Sequence, residues 1–313
     1  MEVVMYTEDK RVQWDDFVRN SKNGTFLFLR DYMEYHSDQF KDYSLMFYND
    51  NGKLTAVLPA NIDENIVTSH GGLTYGGVIS NRKMNTLIML EVFVALIEFL
   101  SSQGIRKLIY KRVPYFYYNY PSDEDLYALW RNGGKVVRAD ISTTIELASP
   151  IKFSETRRQN IRDAKTENIE VSQSDDFGGY YKVLCHVLEQ NHAAKPVHSE
   201  AELLYLKDKF PKNIKLFTAT KDGEIISGVV IFETKTVAHT QYIANSAVGR
   251  GLGALDLLFD HLVHVVYKDK KYFDFGTSNE NQGQDVNEGL ITQKQMFGGR
   301  GTIHEFWEVE ING

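Results

Sequence analysis

The chain has 313 residues, 42% of them hydrophobic and 25% charged, which is too apolar for disorder and long enough for two domains. Its 35 Lys and Arg against 42 Asp and Glu leave a net charge of −7, an acidic balance that argues against DNA as a partner. The single cysteine, Cys185, excludes an intrachain disulfide, and without a Cys/His spacing pattern no metal site is expected.

The opening segment, MEVVMYTEDKRVQW, carries acids early and lacks the apolar core of a signal peptide. Helices are expected from about Val12 and from about Arg30. A hairpin follows, with strands at 43–48 and 54–59 joined by Asn49-Asp50-Asn51-Gly52. A strand near 66–69 enters a glycine-rich loop, His70-Gly71-Gly72-Leu73-Thr74-Tyr75-Gly76-Gly77. The apolar run 87–100 is interrupted by Glu91 and Glu98, too short and too charged to span a bilayer, and reads as a buried helix. Strand 105–110, an aromatic run from Tyr115 to Tyr120, helix 122–131 and strand 136–147 complete this half. No membrane span and a cytoplasmic chain are the expectation.

The second half repeats the order. A polar helix at 153–168 precedes a strand at 169–173 and a helix at 176–190. Another helix starts at Ser199, whose hydroxyl and Glu202 form a capping-box pattern. Strands at 214–220 and 225–233 flank the turn Lys221-Asp222-Gly223-Glu224, and a third strand runs 237–244. It ends in Val248-Gly249-Arg250-Gly251-Leu252-Gly253-Ala254, after which Leu255, Leu258, Leu262, Val265 and Val266 are expected to share one helix face. Strand 272–276, helix 287–297 and strand 302–311 follow. Both halves close on a Gly-Gly pair, Gly133-Gly134 and Gly298-Gly299. The reading is one α/β fold, a mixed and mostly antiparallel sheet flanked by helices, present twice as domains 1–149 and 150–313.

The Val248–Ala254 stretch joins an expected strand to an expected helix. Glycines let a backbone approach a ligand, a helix N-terminus favours anions, and Arg250 offers a forked donor, a combination suited to a pyrophosphate. A tight turn needing glycine for conformation alone explains the same residues. No Walker lysine follows, and a G-x-G-x-x-G fingerprint is absent.

With the order of elements, the segment 248–253 resembles the acyl-CoA loop of the GNAT N-acyltransferases, with Val248 where Gln or Arg is usual. Two such halves in one chain resemble the Fem-type aminoacyltransferases and their acetyltransferase relatives. Phe273-Asp274-Phe275-Gly276, Gly289-Leu290 and Lys294-Gln295-Met296-Phe297-Gly298 resemble that group's tail motifs, and Arg157-Arg158-Gln159-Asn160-Ile161-Arg162 its basic helix.

The resemblance implies tandem GNAT-like domains, the second binding acyl-CoA (acetyl-CoA) through Val248, Gly249, Arg250, Gly251, Leu252, Gly253 and Ala254, without a metal. An amine attacks an activated acyl group, so the site needs a proton acceptor and oxyanion donors. Lys294 matches the tail lysine, as an oxyanion or phosphate partner or else a solvated helix lysine. Glu288 and Asp274 are candidate carboxylate bases, or else a cap and a salt-bridge partner. Asp274 is expected to point away from Phe273 and Phe275 on their strand. His192, Lys195 and His198, in the loop between two helices that in this fold usually contacts the acceptor, are substrate candidates, or else bystanders of a polar loop. So are His70 and Tyr75, expected to wall the acceptor's cleft from a first domain without a phosphate loop.

Rings at 115–120 suit sugar stacking or plain packing. Arg157, Arg158, Arg162 and Lys165 suit an anionic acceptor or a tRNA end, or a solvated face. The leading expectation is an N-acyltransferase acting from acyl-CoA on an amino group of a cell-envelope or glycan precursor. Aminoacyl-tRNA as donor is the alternative, disfavoured by net charge. A non-catalytic binding module on the same fold is the third.

Overall fold

A computed structural model describes residues 1–192 and 196–311, the side chains of residues 191 and 192 excepted. The chain forms two compact units. The first comprises Met1–Asp140, Asn281–Gln284 and Ile303–Gly313; the second comprises Ile141–Glu280 and Asp285–Thr302.

The first unit contains β1 (Glu2–Met5), α1 (Arg11–Asn20), α2 (Arg30–Met33), β2 (Leu45–Tyr48), β3 (Leu54–Leu58), β4 (Asn61–Asp63), β5 (Ile66–Thr68), β6 (Ile79–Ser80), α3 (Thr86–Ser102), β7 (Lys107–Lys111) and α4 (Glu124–Arg131). Strands β1, β2, β3 and β6 form an antiparallel sheet, and β4 pairs with β5. Strand β5 runs parallel to β7, with α3 as the crossover, since a parallel pair needs a long connection. Helix α3, capped by the Asn85 side chain on the Ile88 N–H, buries Met89, Val92, Phe93, Leu96 and Leu100. It is only half the buried helix expected, because Leu87 and Val94 are exposed.

The long β8 (Lys135–Glu146) begins in the first unit and ends in the second. Then follow α5 (Glu155–Ala164), β9 (Glu170–Ser174), α6 (Phe177–His192), α7 (Glu200–Lys209), β10 (Ile214–Lys221), β11 (Glu224–Glu233), β12 (Val237–Asn245), α8 (Ala247–Gly251), α9 (Ala254–His261), β13 (Tyr272–Thr277), the short β14 (Asn279–Glu280) and β15 (Asp285–Val286), α10 (Glu288–Met296) and β16 (Arg300–Glu310). The Ser199–Glu202 capping box forms as its spacing requires. Asp222 and Gly223 both take positive φ, the conformation a two-residue hairpin turn needs.

Within the second unit β9, β10, β11 and β12 form an antiparallel meander, β12 runs parallel to β13, and β13 pairs antiparallel with β8. One face of these strands packs on α5, α9 and α10 through Phe217, Val229, Ile231, Leu258, Phe259, Phe273, Phe275 and Phe297. Both units therefore contain a parallel strand pair bridged by a helix, and the closing strands cross over in sequence. β8, made after α4, pairs with β13, whereas β16, made after α10, pairs with β7. The contact boundary accordingly lies at Asp140/Ile141, earlier than the expected 149/150, and the last strand belongs largely to the first unit.

Candidate active site

Strands β12 and β13 pair only from Val237↔Tyr272 to His239↔Asp274, and beyond that point the ladder between them ends. Their onward residues Ile243, Asn245 and Phe275 wall a cavity of about 470 Å³. Its other walls are Arg157 and Asn160 of α5, Val187 of α6, Arg250 of α8, Leu255, Asp256 and Phe259 of α9, and Leu290, Gln293, Lys294 and Phe297 of α10 and its end. Rings line one part of the cavity; amides and cations line the rest.

The expected glycine loop is a helix for most of its length. Ser246 caps α8 by accepting the Gly249 N–H at 3.0 Å, and the N–H groups of Arg250 and Leu252 bond back to Ser246 and Val248 carbonyls. Those N–H groups are thus spent inside the helix, which corrects the picture of an open phosphate-binding loop. Gly253, at φ +67°, makes the break between α8 and α9 against the Asn160 carbonyl, where a side chain would collide. Gly249 is packed against the Ile226 carbonyl and Asn245, whereas Gly251 has open space around it. Val248 is exposed, Leu252 half-buried and Ala254 buried. Arg250 is exposed and gives one N–H to the Asn245 carbonyl at 2.9 Å, leaving most of its guanidinium at the cavity mouth.

Lys294 is no solvated helix lysine. It is 5% exposed, and its ammonium donates to the carbonyls of Gly276 (2.9 Å) and Thr277 (2.7 Å) and to Ser278 Oγ (3.0 Å). An ammonium has three protons, so these partners occupy it fully and it pins the end of β13 to α10. Burial pulls its pKa down to about 8, against the opposing pull of the Asp274 carboxylate.

Arg157 bonds both carboxylate oxygens of buried Asp256 (3.1 and 3.3 Å), and its guanidinium lies 4.7 Å from the Phe297 ring centre. Arg158 and Arg162 pair with Glu155, and Lys165 with Asp260. Most of the basic stretch is thus neutralised on its own surface. Glu288 is exposed in the first turn of α10, where an acid complements the helix dipole.

Asp274 is fully buried and does point away from Phe273 and Phe275. Its Oδ1 accepts from Ser142 Oγ (2.6 Å), Thr144 Oγ1 (3.1 Å) and the Gly276 N–H (3.2 Å), while Oδ2 lies 2.8 Å from His239 Nδ1. Sequence reasoning missed His239. Its only signal is alternation, which sets it opposite Ala238 of the core, and nothing local links it to a residue 35 positions on.

His198 is buried on the same face of the strands. Its ring approaches Phe232 and the Tyr242 hydroxyl, and its carbonyl accepts from Tyr181. Lys195 lies outside the described residues, as does the side chain of His192.

In the first unit, Tyr75 is buried in an aromatic cluster, 4.4 Å from the Tyr117 ring and 5.7 Å from Phe28, with its hydroxyl on Thr25. His70 takes a left-handed φ of +58° and is buried, and burial, with Lys111 nearby, lowers its pKa to about 4. Of the run 115–120, Phe116, Tyr117 and Tyr118 are buried, and Tyr115 and Tyr120 are exposed. Among the described residues no group of acidic, His and Cys side chains could hold a metal, and no helix is long and apolar enough to cross a membrane.

Residues 152–282 match the family model of the acetyltransferase (GNAT) domain. The chain also shares its fold with solved structures at low identity. FemX is 12% identical with a TM-score of 0.71, over 100% of this chain and 98% of that one. The C-terminal domain (DUF2156) of a putative lysylphosphatidylglycerol synthetase from Agrobacterium fabrum is 13% identical with a TM-score of 0.63, over 98% and 93%. A tandem GNAT protein from the clavulanic acid biosynthesis pathway is 11% identical with a TM-score of 0.51, over 100% of this chain and 99% of that one. No curated protein matches the sequence. Residues 152–282 are thus similar to the acetyltransferase (GNAT) domain, and the chain as a whole shares its fold with FemX.

Proposed function

We propose that the second unit transfers an acyl group from acyl-CoA to an amino group, and that the acceptor is a cell-envelope or glycan precursor. The observation that carries the donor assignment is the cavity at the fork of β12 and β13. It has guanidinium and amide groups toward α5 and α8 and rings toward α9 and α10. A phosphorylated carrier ending in an uncharged thioester asks for that gradient from cation to apolar wall. Arg250 is an exposed wall cation with most of its donors to spare. Lys294 acts by holding the strand end rather than by touching the donor, because its three protons are taken. The amino acceptor follows from the chemistry of the GNAT domain and the envelope precursor from the Fem-like tail motifs; the same likeness supports aminoacyl-tRNA as a second donor reading.

The test is thermal denaturation with and without acetyl-CoA, alongside native mass spectrometry for retained CoA. The parent is expected to gain stability from acetyl-CoA, and Arg250→Ala to weaken that binding by at least about tenfold, the scale of a lost charge-assisted hydrogen bond. No stabilisation by acetyl-CoA, with salt-sensitive binding of charged tRNA instead, would replace the first reading by the second.

A further inference from the structure

We infer that His239 takes the amine proton during transfer, with Asp274 as its positioning partner, an assignment that rests on the acyl-transfer reading above. His239 and Asp274 are the last residues paired across β12 and β13, so the imidazole stands at the point where the two strands part. The donor cavity reaches the same fork, lined by Phe275 from the core face of the strand and by Val187 of α6. Strand alternation puts Asp274 and His239 on the opposite face, so an acyl carbon lodged in the fork is approached from one side by its carrier and from the other by the base.

The dyad is built for one orientation. Asp274 Oδ1 is saturated by Ser142, Thr144 and the Gly276 N–H, and Thr302 lies 2.7 Å behind Thr144 to complete the chain. The remaining oxygen faces His239 Nδ1. A carboxylate accepts, so the ring proton sits on Nδ1 and the Nε2 lone pair is presented outward, with no partner for it among the described residues. The side chain retains 12% exposure, enough for an edge of the ring to meet a ligand. Gly276 is part of the same construction: at φ +75° it favours glycine, and a Cβ there would stand 3.2 Å from the imidazole Cε1.

The step balances without further reactants. The amine lone pair forms the C–N bond as the carbonyl π electrons move onto oxygen, and the amine proton passes to Nε2. Collapse reforms C=O and breaks C–S, and the departing thiolate takes the proton from Nε2, leaving the amide, free CoA thiol and neutral imidazole. Asp274 stabilises the transient imidazolium.

The experiment uses the full chain with hydroxylamine as a small amine probe and acetyl-CoA as donor, in parent, His239→Gln and Asp274→Asn. In His239→Gln the rate of acetohydroxamate formation is expected to fall by about 10²-fold or more while acetyl-CoA affinity stays within twofold. Added imidazole should restore part of the lost rate. Among the described residues, titratable side chains on this face include Tyr242 of β12, Tyr180, Tyr181 and Cys185 of α6, His198, and Glu200 and Glu202 of α7, so long-range ¹H–¹⁵N spectra assigned by difference with His239→Gln are needed to read His239 itself. They should show Nδ1–H and bare Nε2 in the parent and a changed tautomer balance in Asp274→Asn. Unchanged rates in His239→Gln, or a proton on Nε2 at neutral pH, would overturn the assignment. If the parent fails to bind acetyl-CoA, the donor reading falls, and the tautomer decides the dyad alone.

Discussion

Each unit has a parallel strand pair with a buried lysine gathering oxygens beside it, and the two pairs end differently. In the second unit the β12–β13 ladder stops at His239↔Asp274 and a cavity opens. In the first, the β5–β7 ladder is carried on past Thr68↔Ile109 by Ser69, whose N–H bonds the Ile109 carbonyl and whose hydroxyl both accepts from the Lys111 N–H and donates to the Lys111 carbonyl. Gly76 then adds its N–H to the same carbonyl, and Tyr110 receives the Val78 N–H. The glycine-rich loop therefore fills the fork with its own backbone. Lys111 holds it shut by donating to the carbonyls of His70, Gly71 and Leu73. Similar topology thus yields an open fork where the ladder ends at side chains and a structural plug where backbone continues it.

The sharpest way to break this comparison is to unseat the plug. A Cβ at Gly76 would lie 1.8 Å from the Ser69 carbonyl oxygen, which nothing flexible can relieve. Gly76→Val is expected to cost more than about 4 kcal/mol in urea denaturation, the range of a broken packed backbone contact. A small loss would show that the loop does not seal the fork.

Acid should act next, and on the plug. His70 titrates near 4 in the folded chain against 6.5 ordinarily, burial being the main cause, so between those values the unfolded chain binds more protons and stability falls as pH drops from about 6.5 to about 4. By pH 4 the loss from this residue is on the order of 3 kcal/mol. His70→Asn, which tolerates the left-handed backbone, should remove that part of the acid sensitivity. A stability–pH curve unchanged by the substitution would contradict it.

The lysines give the smallest effects and the finest discrimination. Lys111 and Lys294 both have pKa values drawn down to about 8 by burial, from 10.5, so each binds fewer protons folded than unfolded between those values and stability should rise with pH through that window. Lys111→Met and Lys294→Met should each flatten the rise and cost about 1–3 kcal/mol at pH 7 by stranding buried oxygens. Only Lys294→Met should also reduce stabilisation by acetyl-CoA, because Lys294 walls the cavity and Lys111 does not. Equal ligand effects in both variants would erase the distinction between fork and plug.

Local rules made much of this legible beforehand. The capping box at Ser199, the Asp222-Gly223 turn and the alternation that turns Asp274 from its flanking phenylalanines depend on neighbours within a few positions, and each forms as its spacing requires. The segment 247–251 was misleading for a related reason. Its glycines suggested an open loop, but the Ser246 cap supplies a helix start and Gly249 is small because Ile226 and Asn245 crowd it from elsewhere.

The order of elements and its repetition were legible in the chain because periodicity, caps and turn residues act over one or two turns. The assembled sheets made β8 and β16 trade places, spent Lys294 on β13 and stood His239 on Asp274. Those outcomes join segments from 16 to about 200 residues apart, and the strand register among them is set by which faces bury together, a property of the assembled sheet rather than of any segment within it.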